Sequence, residues 1–135
     1  MVKIILVTHG QLAQQMLDTT AQIIGKPADD GFATFAVTTV ASVEKEAAKL
    51  KELLLTCENG AVVLTDIFGG SATNISLTAS KDLANCYVIT GLNLSMLLTA
   101  INSRKKLTAK ELAEKIEQDG KRAVINATEL LIKGL

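Results

Sequence analysis

The one histidine of this chain, His9, lies in Thr8-His9-Gly10, just after the apolar run 2–7. A second group of chemically able residues, Asp66-Ile67-Phe68-Gly69-Gly70-Ser71, follows another apolar run, 61–64. An imidazole beside a carboxylate has a clear use. The carboxylate accepts a hydrogen bond from one ring nitrogen, fixing the tautomer so that the other presents its lone pair. Such a ring serves as a base, a metal ligand or a nucleophile. The metal reading lacks further ligands, since one His and two distant cysteines, Cys57 and Cys86, cannot complete a zinc set. A base needs a group to activate. Ser71 is the one that offers itself, but Gly69-Gly70-Ser71 is not a G-x-S-x-G elbow. A nucleophile attacking phosphorus suits the surroundings better. Gly69, Gly70 and the amides after them give open N–H donors at a helix start, which favours a phosphoryl anion. Gly10 lets backbone approach the same point. Each feature also has a plainer use: a solvated histidine, a helix-capping aspartate, a glycine turn. Neither G-x-G-x-x-G nor G-x-x-x-x-G-K-[ST] occurs, so dinucleotide and P-loop readings lack their fingerprints.

These residues must be positioned by the elements around them. Residues 2–7 (V-K-I-I-L-V) read as a strand buried on both faces. From 11 to 24, Leu12, Ala13, Met16, Leu17, Ala21 and Ile24 recur at helical spacing, and Gly25-Lys26-Pro27 ends that helix. Residues 32–37 give a second strand. Ser42 then caps a helix that runs to Leu55 and gathers Ala47, Leu50 and Leu54 on one side. After the Asn59-Gly60 turn, 61–64 is a third strand, and a helix runs from 72 to about 82. Residues 85–90 form a fourth strand, 94–101 a short apolar helix, and Thr108 with Glu111 a capping box that opens a long helix through Leu112 and Ile116. The stretch 123–131 carries mixed signals: more helix, or a short strand near Val124-Ile125.

Strands separated by helices argue for an α/β fold with an open, mostly parallel, doubly wound sheet. One domain spanning 1–135 is expected, with helices on both faces of four strands in the order 2-1-3-4. Ligands of such sheets bind beyond the carboxyl ends of the strands, where the order reverses. The candidates there are Thr8 to Gly10, Thr38 and Thr39, Thr65 to Ser71, and Gly91 with Asn93. In that order strands one and three are neighbours, and His9 faces Asp66.

Composition narrows the partners. Hydrophobic residues make up 48% of the 135, enough for one core, and aromatics only 3% with no Trp. Fourteen basic residues balance fourteen acidic ones, so no global field draws nucleic acid or an anionic membrane. Phe32, Phe35, Phe68 and Tyr87 make no stacking platform for single strands. Two scattered thiols suggest a reducing compartment, and the run 4–7 is too short for a signal peptide's core or a membrane span. A cytoplasmic location is expected.

Three blocks resemble one family. Thr8-His9-Gly10 with Ala13 behind it resembles the opening of mannose-class IIA components of the phosphoenolpyruvate-dependent sugar phosphotransferase system. Asp66-Ile67-Phe68-Gly69-Gly70-Ser71-Ala72-Thr73-Asn74 resembles that family's D-x-[FW]-G-G-S-P-x-N signature. Gly91-Leu92-Asn93-Leu94-Ser95-Met96-Leu97 resembles its G-x-N-[LI]-P-M-L block. Three ordered blocks spanning the chain are far more specific than any one. Ala72 and Ser95 stand where the family commonly has proline, a helix-start preference rather than a chemical group.

The resemblance implies that His9 carries a phosphoryl group on the ring nitrogen farther from the backbone, with Asp66 orienting the ring. Gly10, Gly69, Gly70, Ser71 and nearby amides would bind phosphate, with no cofactor and no metal. It implies HPr as donor, a IIB component as acceptor, the membrane IIC and IID components as indirect partners, and a homodimer in which a C-terminal strand joins the neighbour's sheet. The rivals are the phosphoryl-donor subunit of dihydroxyacetone kinase, which tends to carry S-H-S and D-M-G-S instead, a regulatory IIA-like domain, and a hydrolase using His9.

Overall fold

The computed structural model describes residues 1–27, 31–38 and 42–134. In chain order its elements are β1 (Lys3–His9), α1 (Leu12–Ile24), β2 (Phe32–Val37), α2 (Val43–Leu55), β3 (Ala61–Thr65), α3 (Ser71–Ser80), β4 (Cys86–Thr90), α4 (Leu94–Ser103), α5 (Ala109–Arg122) and α6 (Ala127–Ile132). The strands form one four-stranded sheet in the order β2-β1-β3-β4, and each neighbouring pair is parallel. The expected order and class hold.

The central strands carry the apolar runs 4–7 and 61–64 because helices cover both of their faces. Ile4, Leu6, Val62 and Leu64 pack against Ala13 of α1, Met96 and Leu97 of α4, and Leu112 and Ile116 of α5. Ile5, Val7, Ala61 and Val63, one residue out of phase, pack against Leu50 and Leu54 of α2 and Ala72 and Ile75 of α3. The alternation of strand side chains thus divides one apolar run between two cores. Burying each large side chain stabilises the fold by roughly 1.5–3 kcal/mol.

Caps fix where the helices start. Ser42 accepts from the Lys45 amide, Asn93 from Met96, and Thr108 with Glu111 forms the reciprocal box. The first strand runs further than expected. His9 lies within β1 and pairs with Val37, and the Gly10 amide extends the ladder to the Val37 carbonyl. The fourth strand begins at Cys86 rather than Asn85, whose φ of 60° is incompatible with an extended strand. Helix α3 starts at Ser71 and stops at Ser80.

At the far end of the sheet, Arg104 is only 4% exposed. Its Nε donates to the Val2 carbonyl at 3.0 Å, and its guanidinium lies 5.4 Å from the centre of the Phe32 ring. One side chain thereby ties the end of α4 to the starts of β1 and β2. At the C-terminus, Val124 and Ile125 belong to no strand within the single chain, and Asn126 caps the short α6. Val124 is 86% exposed, and β4 is the edge of the sheet.

Candidate active site

β1 and β3 are hydrogen-bonded neighbours, with Val7 opposite Thr65, so the residues that follow them emerge side by side at the carboxyl end of the sheet. His9 Nδ1 lies 2.8 Å from Asp66 Oδ2. The backbone N–H of His9 donates to that same oxygen at 2.9 Å, and the Ile67 N–H donates to Asp66 Oδ1 at 2.9 Å. Both carboxylate oxygens are therefore held.

Partial burial is the largest single influence on Asp66 and opposes its ionisation. The His9 amide, the His9 ring and the Ile67 amide outweigh it together, and the carboxyl titrates below its ordinary value. An ionised carboxylate only accepts, so a neutral ring facing it carries its proton on Nδ1. The lone pair is then on Nε2, away from Asp66. The imidazole side chain is 48% exposed and the carboxylate 13%, so the ring is open to an incoming group while its partner is sheltered.

The ring also has a close backbone neighbour. A Cβ added at Gly70 would sit 3.1 Å from His9 Cε1 and 3.0 Å from Ile67 Cγ2. What glycine gives there is room rather than backbone freedom, since the φ of −84° and ψ of 172° at Gly70 suit any residue. Gly69 at φ 83° makes the turn that brings Gly70 to the ring. Gly70 is the N-cap of α3 and Ser71 its first residue, so the first-turn amides have no acceptor within the helix. The N–H groups of Gly10 and Gly70 differ: they are engaged by the Val37 and Ile67 carbonyls.

Thr38 is exposed at the end of β2, and Thr39 lies outside the described residues. Asn93 is engaged in capping α4 and donates its side-chain amide to the Gly120 carbonyl at 3.2 Å, which ties α4 to α5. Among the described residues no group of three or more His, Cys, Asp or Glu is arranged to hold a metal ion. No helix among them is long and apolar enough to cross a membrane.

Two sets of residues gain a role that the sequence alone did not give them. The first is an apolar rim at the mouth of the sheet, with Leu12, Ile67, Phe68 and Leu94 exposed by 45%, 60%, 77% and 37%. Each is a large apolar residue within two positions of a glycine or at a helix start, the one signal in the sequence that marks them. The second is a set of buried threonines. Thr8 accepts from the Ala13 amide at 2.9 Å, supplying the α1 start with the side-chain cap that Gln11 does not give. Thr65 and Thr73 join their hydroxyls beneath the Asp66 loop.

A parallel α/β sheet with a carboxylate-held histidine at its carboxyl mouth defines a class, and comparison with known proteins narrows it. Residues 3–117 match the model of the family described as the PTS system fructose IIA component. The chain belongs to this mannose-class IIA family of the sugar phosphotransferase system. It is therefore a IIA-type phosphotransferase component, on the sugar branch of the resemblance. It is 31% identical over 105 residues, 76% of its length, to the mannose-specific EIIAB component of Escherichia coli, and spans 32% of that relative. Among solved structures, the system's EIIA component from Streptococcus agalactiae superposes with a TM-score of 0.84 at 26% identity, covering 96% of this chain and 99% of that one. The mannose/sorbose-specific IIA subunit from Enterococcus faecalis gives 0.81 at 32% identity, with 93% of each chain covered.

Proposed function

We propose that this chain is a phosphohistidine carrier. His9 accepts a phosphoryl group from phospho-HPr and passes it to the IIB component of the same system for coupled sugar uptake and phosphorylation. The observation that carries the reading is the 2.8 Å contact between His9 Nδ1 and Asp66, which leaves Nε2 as the exposed nucleophile. The Nε2 lone pair forms a bond to phosphorus as the donor's N–P bond breaks, and the donor imidazole leaves with that electron pair. Asp66 offsets the positive charge that develops on the ring, and its hold on the Nδ1 proton aims the opposite nitrogen. The first-turn amides of α3, with Gly69, Gly70 and Ser71, bear the phosphoryl oxygens. Gly10 acts through the backbone geometry that follows His9.

A half-exposed ring suits a carrier, since the partner protein itself closes the site. The apolar rim gives that partner a surface to cover. Membrane IIC and IID components enter only downstream, through the IIB component, and the relay operates in the cytoplasm. The exposed Val124 and Ile125 beside the free edge of β4 support a homodimer in which this segment pairs with the neighbouring sheet.

Incubation with phosphoenolpyruvate, the first enzyme of the system and HPr tests the reading. One acid-labile phosphate per chain, lost in the His9→Ala variant, is expected. Steady release of inorganic phosphate would instead mean a hydrolase, and full labelling of His9→Ala would place the phosphate elsewhere.

A further inference from the structure

Asp66 and its neighbours occupy a loop that side-chain packing does not hold: Ile67 is 60% exposed and Phe68 77%. Something else must keep the carboxylate aimed. Beneath the loop lie two buried hydroxyls, Thr65 at 0% and Thr73 at 2% exposure. Their Oγ1 atoms are 2.7 Å apart, and Thr73 Oγ1 is 2.7 Å from the Ile67 carbonyl oxygen. A carbonyl only accepts, so Thr73 commits its single proton to Ile67, and the Thr65 hydroxyl donates to Thr73. The peptide units of Ile67 are thus held on both sides. Its N–H carries Asp66 Oδ1, while its C=O is anchored through Thr73 to the end of β3. Thr65 is anchored in turn, since its carbonyl accepts the Leu92 amide at 3.0 Å.

We infer that Thr65 and Thr73 are positioning residues for phosphoryl transfer, a buried hydroxyl relay that aims Asp66 and, through it, the His9 ring. Neither touches the ring. They act by denying the Asp66-Ile67 segment the freedom its exposed side chains would otherwise allow. Second-layer hydrogen bonds of this kind keep a functional side chain in one rotamer, and their loss commonly costs activity while the fold survives.

The inference rests on the proposed role of His9, but its first readout does not. The chain has a single histidine, so 15N spectra of the unphosphorylated protein report the His9 tautomer without overlap. Thr73→Val removes the hydroxyl at nearly constant shape, and Thr73→Ser restores it. In Thr73→Val the ring is expected to divide between its two tautomers, while the parent and Thr73→Ser hold the proton on Nδ1. Labelling by phospho-HPr should slow by about 10- to 100-fold in kcat, with KM for the donor unchanged. Thr73→Ser should recover the parent rate, and Thr65→Val should fall between, because Thr73 still reaches Ile67. A Thr73→Val protein with the parent tautomer and rate overturns the inference, even if its melting temperature falls. So does a Thr73→Ser protein as slow as the valine variant. If Thr73→Val does not fold, Thr65→Val with an unchanged tautomer and rate overturns it in its place. A tautomer that shifts in a protein whose parent form takes no phosphate upholds the relay and removes the carrier reading.

Discussion

Asp66 holds His9 twice with one oxygen: Oδ2 lies 2.8 Å from the ring Nδ1 and 2.9 Å from the residue's own backbone nitrogen. The carboxylate therefore fixes the ring relative to the strand that carries it, not merely relative to itself. Removing it should change both the charge and the aim of the nucleophile.

Asp66→Ala should slow phosphorylation of His9 by about 100-fold or more, with the fold retained by circular dichroism. Rapid-quench labelling measures the rate. A variant labelled as fast as the parent would show that the carboxylate plays no part in transfer.

The same contact ties stability to acid. The Asp66 carboxyl titrates below its ordinary value of 3.8, so the native state favours its ionised form. Its contribution is complete above that ordinary value and is lost as pH falls through the lowered native one. Denaturant midpoints of the parent and Asp66→Ala should therefore differ most near neutrality and converge below pH 3.8. A gap of constant size at every pH would contradict this sign.

Gly70→Ala tests the seat of the ring. Alanine can adopt the backbone angles there, but its methyl would press on His9 Cε1 and Ile67 Cγ2. About a tenfold loss of labelling rate is expected, with little change in melting temperature, because a small displacement of a reacting group is costly in rate. Parent-like transfer would mean that the ring has room to spare.

Arg104 gives the opposite separation. Arg104→Ala would strip the buried Val2 carbonyl of its donor and the Phe32 ring of its cover. A loss of about 2–4 kcal/mol by urea unfolding is expected, while the labelling rate of the folded protein stays put. Slowed transfer at full occupancy of the native state would show a coupling across the sheet.

The C-terminal segment is tested by charge. With Val124 and Ile125 both replaced by Glu, the full chain should sediment as a monomer where the parent sediments as a dimer. Identical sedimentation of the two would discard the exchanged-strand arrangement.

The strands and their order were legible because residues 4–7 of β1 and 61–64 of β3 are unbroken apolar runs, which a sheet covered on both faces accommodates. His9 and Asp66 followed from that order, since a parallel sheet gathers the residues after its strands. What escaped was set by three-dimensional contact rather than by local pattern. Thr8, Thr65 and Thr73 look like ordinary strand and helix residues, and their hydroxyls gain meaning only from partners the topology brings near. The extension of β1 through His9 depended on Val37, distant in sequence. The segment after Arg122 stayed ambiguous because its apolar residues find no cover within one chain.

Arg104 clamps the starts of β1 and β2, and the His9–Asp66 pair occupies the other end of the sheet. A source of longevity that takes no part in turnover thus sits apart from the reacting pair. Under the proposed carrier role, drift at the clamp is expected to change the working life of each copy more than its rate of relay, which leaves the two traits open to separate selection.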